Sequence, residues 1–190
     1  MPLPPYEVHR LIRPVGSQDH LQGSANSPAM LVEYGDYQCP FCGKAYPVVR
    51  EVQRRLSDRL CFVFRNFPVT QVHPYAMQAA EAAEAAAAQG KFWEMHDLLY
   101  EHQQDLGVES LKHYAADLGL NVDRFSRELE GHFHAAKVRD EFMEGVRSGV
   151  NGTPAFYING IRHDGSWELD QLLQAIENSM VQNPSEKVRR

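Results

Sequence analysis

The 190-residue sequence is poor in several things. It has only three cysteines, an odd, low number that excludes a disulfide-stapled secreted scaffold. No stretch approaches the roughly 18 apolar residues of a membrane-spanning helix. The longest apolar-looking run, the alanine-rich segment 79–88, carries Glu81 and Glu84. Positive charge is not in excess: 19 Lys and Arg stand against 25 Asp and Glu, a net charge of −6. That balance excludes the electrostatic footprint needed for nucleic acid or an anionic membrane. The basic end Lys187-Val188-Arg189-Arg190 is read as solvated chain. The opening Met-Pro-Leu-Pro-Pro-Tyr-Glu has no basic segment followed by an apolar run, so no signal peptide is visible. These absences predict a soluble, cytoplasmic monomer, or a periplasmic one should the chain be a processed or partial piece. There is no internal repeat.

What is present supports a folded domain. Hydrophobic residues make up 43% of the chain, enough for a core, and the length suits one domain with an insertion. Residues 1–28, rich in Pro, Gly, Ser and Asn, read as an extended arm with a short strand near Val8–Ile12. The apolar run 29–35 predicts a buried strand. A helix then starts at Pro40, which suits a first helical position, with Tyr46, Val49, Val52 and Leu56 at helical spacing. Residues 60–66 form a second strand of aromatic and β-branched type. Four or five helices follow over about 74–148, among them one stopping at Gly90, one with Phe92, Met95 and Leu99 on its face, and one capped by Asp123. Ala155–Ile158, the Asn159-Gly160 turn and Ile161–His163 predict a hairpin. Ser166 is expected to cap a last helix carrying Leu169, Leu172, Leu173 and Ile176. Residues 181–190 read as a frayed tail. The fold class is therefore α/β, with a strand–helix–strand half, a helical insertion and a hairpin–helix half, the main domain covering 29–180.

The chemistry is carried by Cys39-Pro40-Phe41-Cys42. Cys39 follows a strand and opens a helix, where free backbone N–H groups and the helix dipole stabilise an anion. Its thiol should ionise below the ordinary value of about 8.5, making it the attacking nucleophile. Cys42, one turn on, can reach back and resolve the mixed disulfide. Phe41 adds no charge, so the centre should be less oxidising than with His at that position. Glu33 lies on the buried strand; burial should raise its pKa and make it a proton acceptor for Cys42. Gly152-Thr153-Pro154-Ala155 places a proline at the mouth of a strand, where a cis Thr153–Pro154 bond is expected. That bond would leave the Thr153 backbone free to pair with an extended peptide. Apolar surface near Phe41 and Pro154 would suit such a peptide.

The segments Glu33-Tyr34-Gly35-Asp36-Tyr37-Gln38-Cys39-Pro40-Phe41-Cys42 and Gly152-Thr153-Pro154-Ala155-Phe156 resemble the DsbA-like branch of the thioredoxin superfamily, over roughly residues 25–180. They also resemble the DsbA-type modules found alone or fused to bacterial sodium/proton antiporters. The resemblance implies a thioredoxin fold with a helical insert and a thiol–disulfide oxidoreductase exchanging disulfides with protein substrates. It implies Cys39 as the nucleophile and a cis Pro154 facing it; with the reading of the residues above, Cys39, Cys42 and Glu33 are the expected catalytic residues and Pro40, Phe41, Thr153 and Pro154 the expected substrate contacts. A separate redox partner is expected, and no metal or cofactor is needed. The rival class is structural zinc, but Cys61 is alone and His132 and His134 sit on the insert, with no second Cys pair. Cys61 reads as a core residue, the alternative being a regulatory thiol. His73, His96 and His102 are expected as caps and solvated helix faces, and Phe92, Trp93 and Met95 as core of the insert. A redox-sensing or peptide-binding module with little turnover is the alternative function; a glutathione-transferase-like isomerase usually lacks the second cysteine.

Overall fold

The computed structural model describes residues 8–182. The start of the predicted arm and the basic end at 187–190 lie outside the described residues. Five strands, β1 (His20–Gln22), β2 (Ala29–Gly35), β3 (Leu60–Asn66), β4 (Ala155–Ile158) and β5 (Ile161–His163), form one sheet in the order β1-β3-β2-β4-β5. β2 and β3 run parallel in register Ala29↔Leu60 to Gly35↔Asn66; β1, β4 and β5 pair antiparallel with their neighbours. The parallel pair requires a crossover, and α1 (Pro40–Leu56) supplies it. Five helices then intervene: α2 (Ala76–Ala87), α3 (Phe92–Glu101), α4 (Val108–Asp117), α5 (Val122–Glu130) and α6 (Ala135–Arg147). α7 (Leu169–Gln182) closes the described chain.

Side chains alternate across each strand, so the sheet buries two faces. Leu31, Phe62, Phe64, Phe156 and Ile158 join the larger apolar cluster, which includes α1, α3 and α7 residues. Val32, Tyr34, Cys61, Val63 and Tyr157 form the second, with Phe142 of α6 against them. Cys61 is thus core, and burial pushes its thiol up. The hairpin turn has positive φ at both Asn159 (49°) and Gly160 (81°), the backbone that Asn-Gly favours.

Four local readings are corrected. The arm contains a strand at His20–Gln22, and Arg10 makes an isolated bridge to Ile161 in place of the expected strand near Val8–Ile12. Asn121, not Asp123, caps α5, accepting the N–H of Arg124 at 2.9 Å. Ser166 Oγ accepts the N–H of Glu168, one residue ahead of the last helix. That helix continues over Val181 and Gln182, where fraying is expected.

A buried ion pair holds the arm to the sheet. Arg65 on β3 has no exposed surface. Its Nε and Nη2 donate to the two Asp19 carboxylate oxygens at 2.8 and 3.1 Å, and Nη1 donates to the Tyr34 hydroxyl at 3.0 Å. Asp19 also receives Arg13 and the Gly16 N–H. A guanidinium buried this way needs its carboxylate far more than an exposed pair would. Asp19→Ala leaves the cation without its counter-charge and is expected to cost about 3–5 kcal/mol, read as a lowered urea midpoint.

Candidate active site

Cys39 occupies the N-cap of α1 with an extended backbone (φ −69°, ψ 122°), and Pro40 takes the first helical position. The loop before it is tied from several directions. The buried Asp36 carboxylate accepts the N–H groups of Gln38 and Val69, each at 2.8 Å, and lies 2.8 Å from His73 Nδ1. Gln103, just beyond α3, donates to the Tyr37 and Cys39 carbonyls at 2.8 and 2.9 Å. The insertion therefore helps hold the cysteine loop in place.

The second half of the site comes from 114 residues along the chain. β4 pairs with β2 in register Tyr34↔Ala155, which sets the preceding residues beside the end of β2. The Thr153–Pro154 bond is cis. As a thiol, Cys39 Sγ donates to the Thr153 carbonyl at 3.4 Å. On ionisation the sulfur instead accepts hydrogen bonds, first from the Cys42 thiol, then from the Thr153 side chain and the N–H groups of Cys42 and Phe41. These outweigh desolvation and bring the Cys39 thiol down to about 5. Cys42, wholly buried, moves the other way. Burial comes first, then its hydrogen bond to Cys39 and the charges of Glu33 and Cys39, and together they push its thiol up. The two sulfurs are not bonded.

Glu33 lies on β2, 2% exposed, opposite Phe64 and Phe156. Burial, and after it the Cys39 charge, raises its carboxyl to about 8. Its Oε1 has no hydrogen-bond partner. It also lines a cavity of about 370 Å³ with Val49, Gln53, Phe62 and His96. A carboxyl that titrates near neutrality beside a thiol that resists ionisation can exchange a proton with it.

The family model described as thioredoxin matches residues 16–178. The chain belongs to the thioredoxin family. Among curated relatives, the "Na(+)/H(+) antiporter NhaA 1" of Mycobacterium sp. (strain KMS) is 42% identical over 170 residues, 88% of this chain and 28% of the relative. That of Salinispora arenicola is 44% identical over 164 residues, 86% of this chain and 25% of the relative. The chain thus spans about a quarter of the length of these relatives. Among solved structures, oxidised BdbD from Bacillus subtilis superposes with a TM-score of 0.77 at 22% identity, over 85% of this chain and 92% of that one. A thioredoxin-like oxidoreductase from Silicibacter pomeroyi gives 0.76 at 25% identity, over 86% and 93%. Wolbachia pipientis alpha-DsbA1 gives 0.78 at 19%, over 90% and 95%. The fold of this thioredoxin-family chain is that of its DsbA-type neighbours.

Cys39, Cys42, Glu33, Thr153 and Pro154 meet at one corner of the sheet. Pro40 and Phe41 sit on its outer rim, Phe41 58% exposed with the Lys44 ammonium 5.7 Å above its ring. His96 departs from expectation. It is buried, not solvated, 3.0 Å from the Tyr37 hydroxyl and edge-on to Phe64. Burial holds it down at about 3, so its imidazole is neutral. Phe92 and Met95 are buried and Trp93 packs against the same core, as expected. His132 and His134 turn to different carboxylates, Glu81 and Glu128. Among the described residues no three His, Cys, Asp or Glu side chains converge as a metal site, and no helix is long and apolar enough to cross a membrane. Asp36, Tyr37 and Gln103 were not singled out by sequence; each acts through contacts distant in the chain.

The Glu33 carboxyl keeps its proton in the fold up to about pH 8, whereas an unfolded glutamate releases it near 4.3. Between those values the folded state binds more protons, so the Glu33 contribution to stability falls as pH rises. Glu33→Gln has no proton to lose. Its urea midpoint, measured on reduced protein, is expected to gain on wild type progressively between about pH 4.3 and pH 8; a pH-independent difference would contradict the buried acid.

Proposed function

We propose that the chain is a protein thiol–disulfide oxidoreductase working through a mixed disulfide at Cys39. The observation that carries this reading is the opposite treatment of the two sulfurs: Cys39 ionises near 5 at the mouth of the site, while Cys42 stays a thiol behind it. In one direction the Cys39 thiolate attacks a substrate disulfide and expels one substrate thiolate. Glu33 takes the Cys42 proton, Cys42 Sγ attacks Cys39 Sγ, and the second substrate thiolate leaves. The reverse sequence donates the disulfide. Pro40, Phe41 and the Thr153-Pro154 turn present the surface on which an extended substrate lies, next to the Thr153 backbone. The substrates are protein or peptide thiols and disulfides, and a separate redox partner resets the pair. The chain acts as a monomer and uses no metal or cofactor in this scheme.

A thiol near 5 is intermediate between those of thioredoxin, about 7, and DsbA, about 3.5. Because a stabilised thiolate favours the reduced form, the equilibrium potential against glutathione should fall between about −270 and −120 mV. The lower end suits a cytoplasmic reductase and the upper end a periplasmic disulfide donor. Thiolate absorbance of the reduced protein should titrate with a midpoint near 5, and Cys39→Ser should abolish both signal and exchange. Phe41→His places a cation beside the sulfur and is expected to make the potential less negative. Absence of exchange in the wild-type protein would sink the reading.

The match to a segment of antiporter-named relatives favours one second reading: a redox-sensing or peptide-binding module attached to a transporter. Such a module would form the mixed disulfide or bind peptide, yet turn over poorly with general protein disulfides.

A further inference from the structure

The connection between α3 and α4 reaches the cysteine loop through the side chain of Gln103. That connection is itself pinned. The Tyr114 hydroxyl donates to the Asp105 carbonyl at 2.8 Å, and Gln78 of α2 donates to the Leu106 carbonyl at 2.6 Å. From this fixed base the Gln103 Nε2 donates to the carbonyls of both Tyr37 and Cys39. Those carbonyls stand on either side of Gln38, in the turn that the Cys39 N–H closes on the Asp36 carbonyl at 3.1 Å. The Cys39 carbonyl also accepts the Gly43 N–H at 3.0 Å, which starts the hydrogen bonding of α1. Gln103 therefore fastens the turn and the start of the helix at one shared oxygen.

The helix makes room for this side chain. Gly43 lies in the first turn of α1, where glycine is less favourable than alanine. A Cβ on Gly43 would run into the Gln103 amide, with Cδ 2.6 Å away. The backbone there is helical, so the contact and not the conformation requires glycine. The cap that Gln103 holds has an extended backbone, and from it the Cys39 sulfur reaches the Thr153 carbonyl at 3.4 Å. We propose that Gln103 is a positioning residue for disulfide exchange: by holding the Tyr37 and Cys39 carbonyls it fixes the cap and keeps the Cys39 sulfur facing Thr153 and the first N–H groups of α1. The inference rests on the oxidoreductase reading above. Gln103 acts through the backbone of Cys39 and exchanges no proton or electron.

The test titrates the thiolate absorbance of reduced protein and equilibrates the same protein with glutathione. Gln103→Met keeps the volume and removes the donor. With the cap free to rotate, the thiolate loses part of its hydrogen bonding, and its midpoint near 5 should move upward by about half a unit to one unit. A less stable thiolate favours the oxidised form, so the equilibrium with glutathione should shift about three- to tenfold toward the protein disulfide. Gly43→Ala displaces the Gln103 amide from the other side and should move the thiolate midpoint in the same direction, although alanine favours the helix. The double variant should add no further shift, because both changes remove one contact. Gln78→Ala loses its bond to Leu106 in the same connection but leaves Gln103 bonded. It should lower the urea midpoint and leave the thiolate titration and the glutathione equilibrium unchanged. An unchanged thiolate midpoint in Gln103→Met, or in Gly43→Ala should the first variant not fold, overturns the role of Gln103 and leaves the exchange reading intact. So does an equal shift in Gln78→Ala. Failure of the wild-type protein to equilibrate with glutathione overturns the exchange reading itself.

Discussion

The N-terminus of α1 acts on two thiols three residues apart, and most of the site follows from that difference. Cys39 sits at the cap, where unsatisfied N–H groups of the first turn meet its sulfur. Cys42 lies one turn inside, wholly buried, where the same helix offers it little and burial costs it much. A thiolate and a thiol are thereby kept side by side, the Cys42 thiol donating a hydrogen bond to the Cys39 sulfur. Everything else tightens or relieves this arrangement. Asp36 and Gln103 hold the cap in place, the Thr153 side chain favours the Cys39 anion, and the charge of Glu33 adds to the cost of ionising Cys42.

The second constraint is the sheet. β2 is its central strand, with β3 on one side and β4 on the other. The antiparallel pairing of β4 brings the start of one strand to the end of the other. The corner that holds the candidate site is thus set by backbone register, and of the inserted helices α6 packs on β3 and α3 on α1. They do more than cover the sheet: Gln103 binds the carbonyls on either side of Gln38. Asn66, at the end of β3, donates to Glu84 of α2 and Glu141 of α6, and both carboxylates receive Lys137. This buried polar network fixes the insertion against the sheet.

Where the signal is local, the sequence is readable. The strands at 29–35, 60–66, 155–158 and 161–163 are continuous apolar or turn-bounded runs, and the structure places them at those bounds. The cysteine motif and the Thr153-Pro154 turn are legible for the same reason. β1 is not, because His20-Leu21-Gln22 offers a single apolar residue and gains its strand character from pairing with β3. Arg65 reads as a charged strand residue; its carboxylate is 46 positions away. His96 was within reach of sequence reasoning, since it stands four residues from Phe92 and three from Leu99 on the same helical face. Its polarity argued for solvent, and the Tyr37 hydroxyl that satisfies it lies 59 positions off. Asp123 and Asn121 are both good caps, and only geometry separates them.

The separation of the two halves of the site has a consequence for how such a chain is made. β2, α1 and β3 leave the ribosome before the turn that faces Cys39, because Thr153 follows Cys39 by 114 residues. Until the β4 hairpin has been synthesised and has paired with β2, Cys39 lacks the turn that faces it. Over the stretch of synthesis that separates the two, Cys39 sits in an unfinished setting, and the later hairpin is what completes the centre.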